Sequence, residues 1–203
     1  MSEVRTYKNK QLLYHVTAFD NLESIFRNGI LSREEIRDRG LLKADVADSG
    51  IIRKRSELGI LQYVPFHFFE KTPFTDFIFK RYTHTTFCTI AIRRNLAQSK
   101  NFKIATRHPL SPKVEILPYE DGMKKIDWDT MGRRNYADEE CKNICMAECL
   151  ATSPVLPDDF YCIFVPDRIV KNEVELLADR VLETGRKFFV SVNPGISSRA
   201  VAE

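Results

Sequence analysis

The chain changes hydrophobic period several times, and each change predicts an element. Leu12, Leu13, Tyr14 and Val16 form an apolar run interrupted by His15 and Thr17, which predicts a strand over residues 12–16. Asp20 with Glu23 three residues later has the form of a capping box, and Leu22, Ile25 and Phe26 give the following helix one apolar face. Gly29 predicts its C-terminal cap. Residues 33–58 are highly charged and punctuated by Gly40 and Gly50, which predicts a short helix followed by a mobile loop. The run YVPFHFF reads as a strand that Pro65 confines to an edge or a strand start.

A helix over residues 75–82 is expected to pack Phe77, Ile78 and Phe79, and residues 87–92 alternate as a strand. Between 101 and 140 the pattern loosens around Pro109, Pro112 and Pro118. Long irregular stretches in compact domains commonly cover an active site or carry a binding surface, so function is expected there. The end is regular again: FYCIFV predicts a buried strand, residues 173–182 a helix, and KFFVSV a last strand. The order is that of an α+β domain without internal repeats.

At 203 residues, 43% apolar and 29% charged, the chain fits a single globular domain over 1–203. Neither a secretory h-region nor an apolar run of about 20 residues is present, so the expected location is cytoplasmic. Five cysteines leave one unpaired, and a chain with this much core needs no staples, so reduced thiols are expected. Cys141, Cys145 and Cys149 fall at helical spacing that fits no common zinc pattern, and no metal is expected. The net charge of +3 says little, but basic residues cluster at Arg37 and Arg39, 53–55, 93–94, 124–125 and 133–134. Several such groups on one surface would track a phosphate backbone.

Glu148 lies in MAECLA, flanked by apolar residues. A carboxylate kept from water costs several kcal/mol unless paired, so it requires a partner in the protein or in a ligand. His15 and Arg55, each taken alone, have ordinary structural explanations.

Taken in order, "YHVTAFDNLESIFRNGILSR", "LQYVPFHFFEKTPF", "FKIATRH", "IDWD" and "MAECLA" resemble the DarT family of toxin ADP-ribosyltransferases, which modify single-stranded DNA using NAD. The resemblance implies an ADP-ribosyltransferase fold, two packed, mainly antiparallel sheets around an NAD cleft with peripheral helices. It places NAD as co-substrate and Glu148 and Arg55 as catalytic residues, with Arg53 an alternative to Arg55. His15, Val16, Thr17, Ser24, Leu31, Ser32, Arg53 and His67 would bind the cofactor, and residues from about 37 to 55 would form an NAD-binding loop. Residues from about 102 to 148 would form the substrate loop. In it His108, Lys124, Lys125, Trp128, Arg133 and Arg134 would meet DNA, with Trp128 equally suited to anchoring the loop in the core.

His67 stands where the family commonly has a tyrosine, which leaves the modified base, thymine or guanine, open. The implied partners are single-stranded DNA and a macrodomain-type antitoxin encoded nearby, without a membrane. Transfer to RNA or protein, hydrolysis of NAD, and a non-catalytic nucleotide-binding module are the other readings.

Overall fold

The computed structural model describes residues 7–41 and 49–196. The elements follow the chain as β1 (Leu12–Ala18), α1 (Leu22–Asn28), α2 (Arg33–Asp38), α3 (Ser49–Glu57), β2 (Val64–His67), α4 (Pro73–Arg81), β3 (Phe87–Arg93), α5 (Arg94–Ser99) and β4 (Lys103–Ala105). There follow β5 (Ile116–Pro118), α6 (Tyr119–Lys125), α7 (Trp128–Arg133), α8 (Glu139–Cys145), β6 (Glu148–Ala151), β7 (Phe160–Val165), α9 (Arg168–Val181) and β8 (Phe189–Val192). The NAD-binding loop expected at 37–55 is thus described only at its ends, and residues 42–48 of it lie outside the described residues.

Instead of two separate sheets, the strands join in one, ordered β5-β4-β6-β2-β1-β3-β7-β8. Every pairing is antiparallel except β7 with β8. The sheet nevertheless parts in the middle. β1 pairs with β3 along its whole length, from Leu12↔Arg93 to Ala18↔Phe87, yet meets β2 in register only at Tyr14↔His67. On the other side β2 is fully paired with β6, from Val64↔Ala151 to His67↔Glu148.

Pro65 explains the parting. Its carbonyl accepts a hydrogen bond from His15 Nδ1 of β1 at 2.9 Å. In a strand the N–H and C=O of one residue point the same way, so the N–H that proline lacks would also have faced β1. Pro65 therefore sits in an interior strand that behaves as an edge on that side, and a histidine side chain replaces the missing ladder.

Helix termini follow local chemistry, though not always where the sequence pattern points. The expected box at Asp20 is absent: residues 19–21 form a 3-10 turn and Asn21, without a side-chain cap bond, precedes α1. Complete boxes occur instead at Ser32 with Glu35, opening α2, and at Thr72 with Thr75, opening α4 with Pro73 in its first turn. Gly29 closes α1 at φ 79°, a backbone state open mainly to glycine.

About half of the loosely patterned stretch from 101 to 140 is regular, forming β4, β5, α6 and α7. Its prolines hid short elements whose faces pack locally: Trp128 and Met131 are buried, and the Trp128 indole donates to the Met123 carbonyl at 2.8 Å. Cys141 and Cys145 of α8 donate to the carbonyls of Thr130 and Met131, fastening α8 to α7. All five cysteines are free and buried, and burial raises the thiols of Cys88, Cys145, Cys149 and Cys162 well above the range of reactive thiolates.

Gly122 of α6 lies against Ile104 of β4 so closely that a Cβ would collide with the isoleucine side chain. Gly122→Ala should therefore destabilise the fold by about 1–3 kcal/mol, despite alanine's better helix propensity. Chemical denaturation of the variant checks this, and equal or greater stability would contradict the packing.

Candidate active site

A cavity of about 800 Å³ opens over the parted strands. That is within the common range for sites that hold small molecules. β1 contributes His15, Val16 and Thr17, β2 contributes Pro65 and His67, and β6 contributes Glu148 at its first residue. The register gathers these groups: Glu148 opposes His67 on one side and Ala105 of β4 on the other.

Arg55 comes from α3. Ile51, Ile52 and Arg55 are three and four residues apart, share one face of the helix and line the cavity, whereas Arg53 is exposed on another face. Arg55 Nη1 donates to Glu148 Oε2 at 2.6 Å, and the two side chains are only 10% and 7% exposed. Two charges can remain that deep because each answers the other. The pair leaves Glu148 Oε1 to accept from a ligand, while Arg55 Nη2 is buried without a hydrogen-bond partner among the described residues. Of the two arginine candidates, Arg55 is the one that meets the carboxylate.

The histidines differ in what they present. His15 donates Nδ1–H to the Pro65 carbonyl, so in the neutral ring Nε2 is an acceptor. Burial pushes its pKa down to about 4, which keeps the ring neutral near pH 7. His108 is locked the other way: Leu110 N–H donates to its Nδ1 at 3.2 Å, which leaves Nε2–H as a donor. Burial lowers its pKa too, with Glu148 opposing the shift. His67 has its Nδ1 buried without a hydrogen-bond partner among the described residues.

A family model described as "ssDNA thymidine ADP-ribosyltransferase, DarT" matches residues 14–196. The chain belongs to this family. Among curated proteins none matches. Solved structures with the same fold include Thermus sp. 2.9 DarT in complex with ADP-ribosylated ssDNA, at 19% identity and TM-score 0.81, covering 95% of this chain and 99% of that one. The same Thermus protein in complex with NAD+ aligns at 17% identity and TM-score 0.73, over 92% and 96% of the two chains. Thermosipho africanus DarTG in complex with ADP-ribose aligns at 21% identity and TM-score 0.77, over 92% of this chain and 51% of that one.

Within this DarT-family site, the cavity brings together His15, Val16, Thr17, Ser24, Leu31, Arg55, His67, His108 and Glu148. Other expected positions serve the fold. Ser32, 2% exposed, caps α2 through Glu35 and does not line the cavity, and neither does Arg53. Trp128 packs edge-on against Phe68 beneath the Arg94 guanidinium and is a core anchor, closed to a base.

Lys124, Lys125, Arg133 and Arg134, expected to meet DNA, do not line the cavity. Lys124 and Lys125 pair with Asp121 and Glu115, and Arg133 donates to Thr130 Oγ1. Arg134 lies over the Phe69 ring and donates to Tyr136 Oη and the Lys71 carbonyl, closing the end of α7.

Asn21, Tyr63, Phe74, Phe77, Lys142 and Asn143 also line the cavity, though none was expected there as a site residue. Some signal existed. Once Cys141 and Cys145 are buried against α7, helical spacing turns Lys142, Asn143 and Met146 to the opposite side, toward the cavity. Phe74 and Phe77 are three apart on α4, and Phe77 is 47% exposed beside them.

Replacing Glu148 by glutamine strands the Arg55 charge in a buried place, and denaturant melts should show a loss of about 2–4 kcal/mol. Arg55→Met/Glu148→Met should recover most of it; a double variant as unstable as the single would refute the pairing argument. A second measurement uses pH. His15 ionises near 6.5 when unfolded and near 4 when folded, so between those values the unfolded chain binds more protons. Stability is full above pH 6.5 and should fall as pH drops toward 4, with a slope that His15→Gln reduces.

Proposed function

We propose that the chain transfers ADP-ribose from NAD to thymidine in single-stranded DNA and releases nicotinamide. The observation that carries this reading is Glu148, held by Arg55 in a buried ion pair and joined to His15 by one cavity.

The chemistry follows from the bond that breaks. Cleaving nicotinamide from its ribose leaves positive charge on the sugar, as in glycoside hydrolysis, where carboxylates stabilise the same kind of cation. Glu148 supplies a fixed negative charge, and its Oε1 accepts from a ribose hydroxyl while Oε2 stays with Arg55. Because the attraction grows as the sugar becomes cationic, it favours the transition state over bound substrate. Arg55 orients the carboxylate and offers Nη2–H to an oxygen of the substrate. A guanidinium is effectively always protonated, so Arg55 acts as a donor and not as a base.

At the other end His15 and Thr17 support the adenosine portion. The His15 acceptor Nε2 suits an amine or hydroxyl hydrogen, and Asn21, which donates to Thr17 Oγ1 at 3.3 Å, fixes the threonine. Val16, Leu31, Ile51 and Ile52 add apolar walls. His108, with a locked Nε2–H, suits a carbonyl oxygen of the incoming base.

The acceptor base must leave any stack before its pairing edge can be attacked, which favours a single strand. Phe74, Phe77 and Leu110 line the cavity with apolar surface; Phe77 and Leu110 are 47% and 46% exposed, available to a base face as the buried Trp128 is not. The same reading includes the partner implied by the resemblance, a macrodomain-type antitoxin that removes the modification.

Glu148→Asp tests the reading with less structural cost than glutamine. Keeping the charge but withdrawing it by one methylene should lower transfer from labelled NAD to a thymidine-containing oligonucleotide by at least 100-fold. NAD affinity should change by less than tenfold. Undiminished transfer would remove Glu148 from the reaction, and label on an oligonucleotide lacking thymidine would change the substrate.

A further inference from the structure

α9 is the longest of the described helices, and two of its faces are accounted for. Val170, Val174 and Ala178 are buried in the main core, where α1 and β8 pack beside them. On one flank the charges are answered within the chain, Lys171 by Glu175, and Glu175 and Asp179 by Arg186. A third face is unanswered. Ile169, Glu173, Leu176 and Arg180 recur at intervals of four, three and four, which at about 100° per residue sets them in one stripe roughly 60° wide.

Ile169 and Leu176 are 72% and 70% exposed, more than any other large apolar side chain among the described residues. Phe189 of β8 is also exposed, but its ring already packs edge-on against Tyr161, with centroids 6.0 Å apart. Glu173 and Arg180 are exposed and make no ion pair among the described residues. A single exposed leucine is ordinary. Two apolar side chains seven residues apart, interleaved with opposite unpaired charges on the same line, have the pattern of a helix-pairing seam.

The order of the charges selects the occupant. Against a second α9 lying parallel and in register, Glu173 would face Glu173. Laid antiparallel about a two-fold axis at Leu176, Glu173 lies about 4.5 Å before the axis and Arg180 about 6 Å beyond it, so each Glu173 meets the Arg180 of the other copy. Leu176 meets Leu176 on the axis, and Ile169 reaches the end of the other helix. From this stripe we infer that α9 is a self-association surface, on which a second copy of the chain docks antiparallel through Leu176 and two Glu173–Arg180 ion pairs. The inference is independent of the transfer reaction, since no residue of α9 lines the cavity.

A helix of 14 residues is about 21 Å long, and a contact along it is smaller than the roughly 800 Å² per partner of a standard interface. The association is therefore weak and reversible, and because its ion pairs sit at the surface it weakens with salt.

Sedimentation velocity of the full chain in low salt, from about 1 to 500 μM, tests this in the range where contacts of that size form. The expected result is a rise with concentration from 23.6 kDa toward twice that mass, reduced by added salt. Glu173→Arg and Arg180→Glu should each raise the dimer dissociation constant about tenfold or more, because each turns two attractive contacts into two repulsive ones. Both side chains are exposed, so thermal melts of the variants should match the native chain. The double variant Glu173→Arg/Arg180→Glu should return to within about threefold of native, and so should an equimolar mixture of the two single variants, in which each chain supplies the charge the other lacks.

A mass of 23.6 kDa at every concentration would overturn the inference. So would a dimer that neither single reversal weakens, which places the contact on another surface, and so would a double variant and a mixture that both fail to recover association.

Discussion

A guanidinium and a carboxylate 93 positions apart in the chain meet at 2.6 Å, nearly shut off from water, and the site is organised around that contact. Removing either charge from solvent alone would cost several kcal/mol. Together they tie α3 to the first residue of β6, so that the helix must close over the sheet where the cavity begins. A buried pair of this kind is weak evidence for stability, since apolar residues of similar volume could replace it. What it provides is a carboxylate held in place with one oxygen committed to Arg55 and the other available.

The cavity itself results from an incomplete sheet. An unbroken antiparallel sheet across β1 and β2 would have used the backbone groups that now flank the cleft. Pro65 removes a donor from β2 on the side facing β1, and His15 bonds the remaining carbonyl through its ring. One proline thus weakens the ladder and one histidine repairs it while presenting its other nitrogen to the cavity. The expected two sheets are one sheet in the structure, in which the single register pair Tyr14↔His67 joins two well-paired halves.

Backbone contacts also set the chemical character of the side chains. The Pro65 carbonyl makes His15 an acceptor toward the cleft, and the Leu110 N–H makes His108 a donor. Neither tautomer follows from residue type. The basic pairs at 124–125 and 133–134 show the same dependence in reverse. Their clustering suggests phosphate contacts, but the fold spends Arg134 on Tyr136 and Lys71 and sets the lysines on α6 beside Asp121 and Glu115.

Much of the fold and of the site is legible in the order of residues alone. Alternation and apolar runs locate β1, β3 and β7, because burial on a pleated surface imposes a period that a sequence displays. The ordered fragments from Tyr14 onward indicate the family, and with it Glu148 and His15, because chemistry at a small site tolerates few residue types. Three things required tertiary contacts. The choice between Arg53 and Arg55 depends on which face of α3 meets β6. Trp128 is a core anchor because Phe68 and Arg94, far away in sequence, enclose it. The cavity-lining roles of Phe74, Phe77, Lys142 and Asn143 depend on how α4 and α8 are rotated against their neighbours. Local periodicity determines that a helix forms and which of its residues share a face; only packing against distant chain decides where that face points.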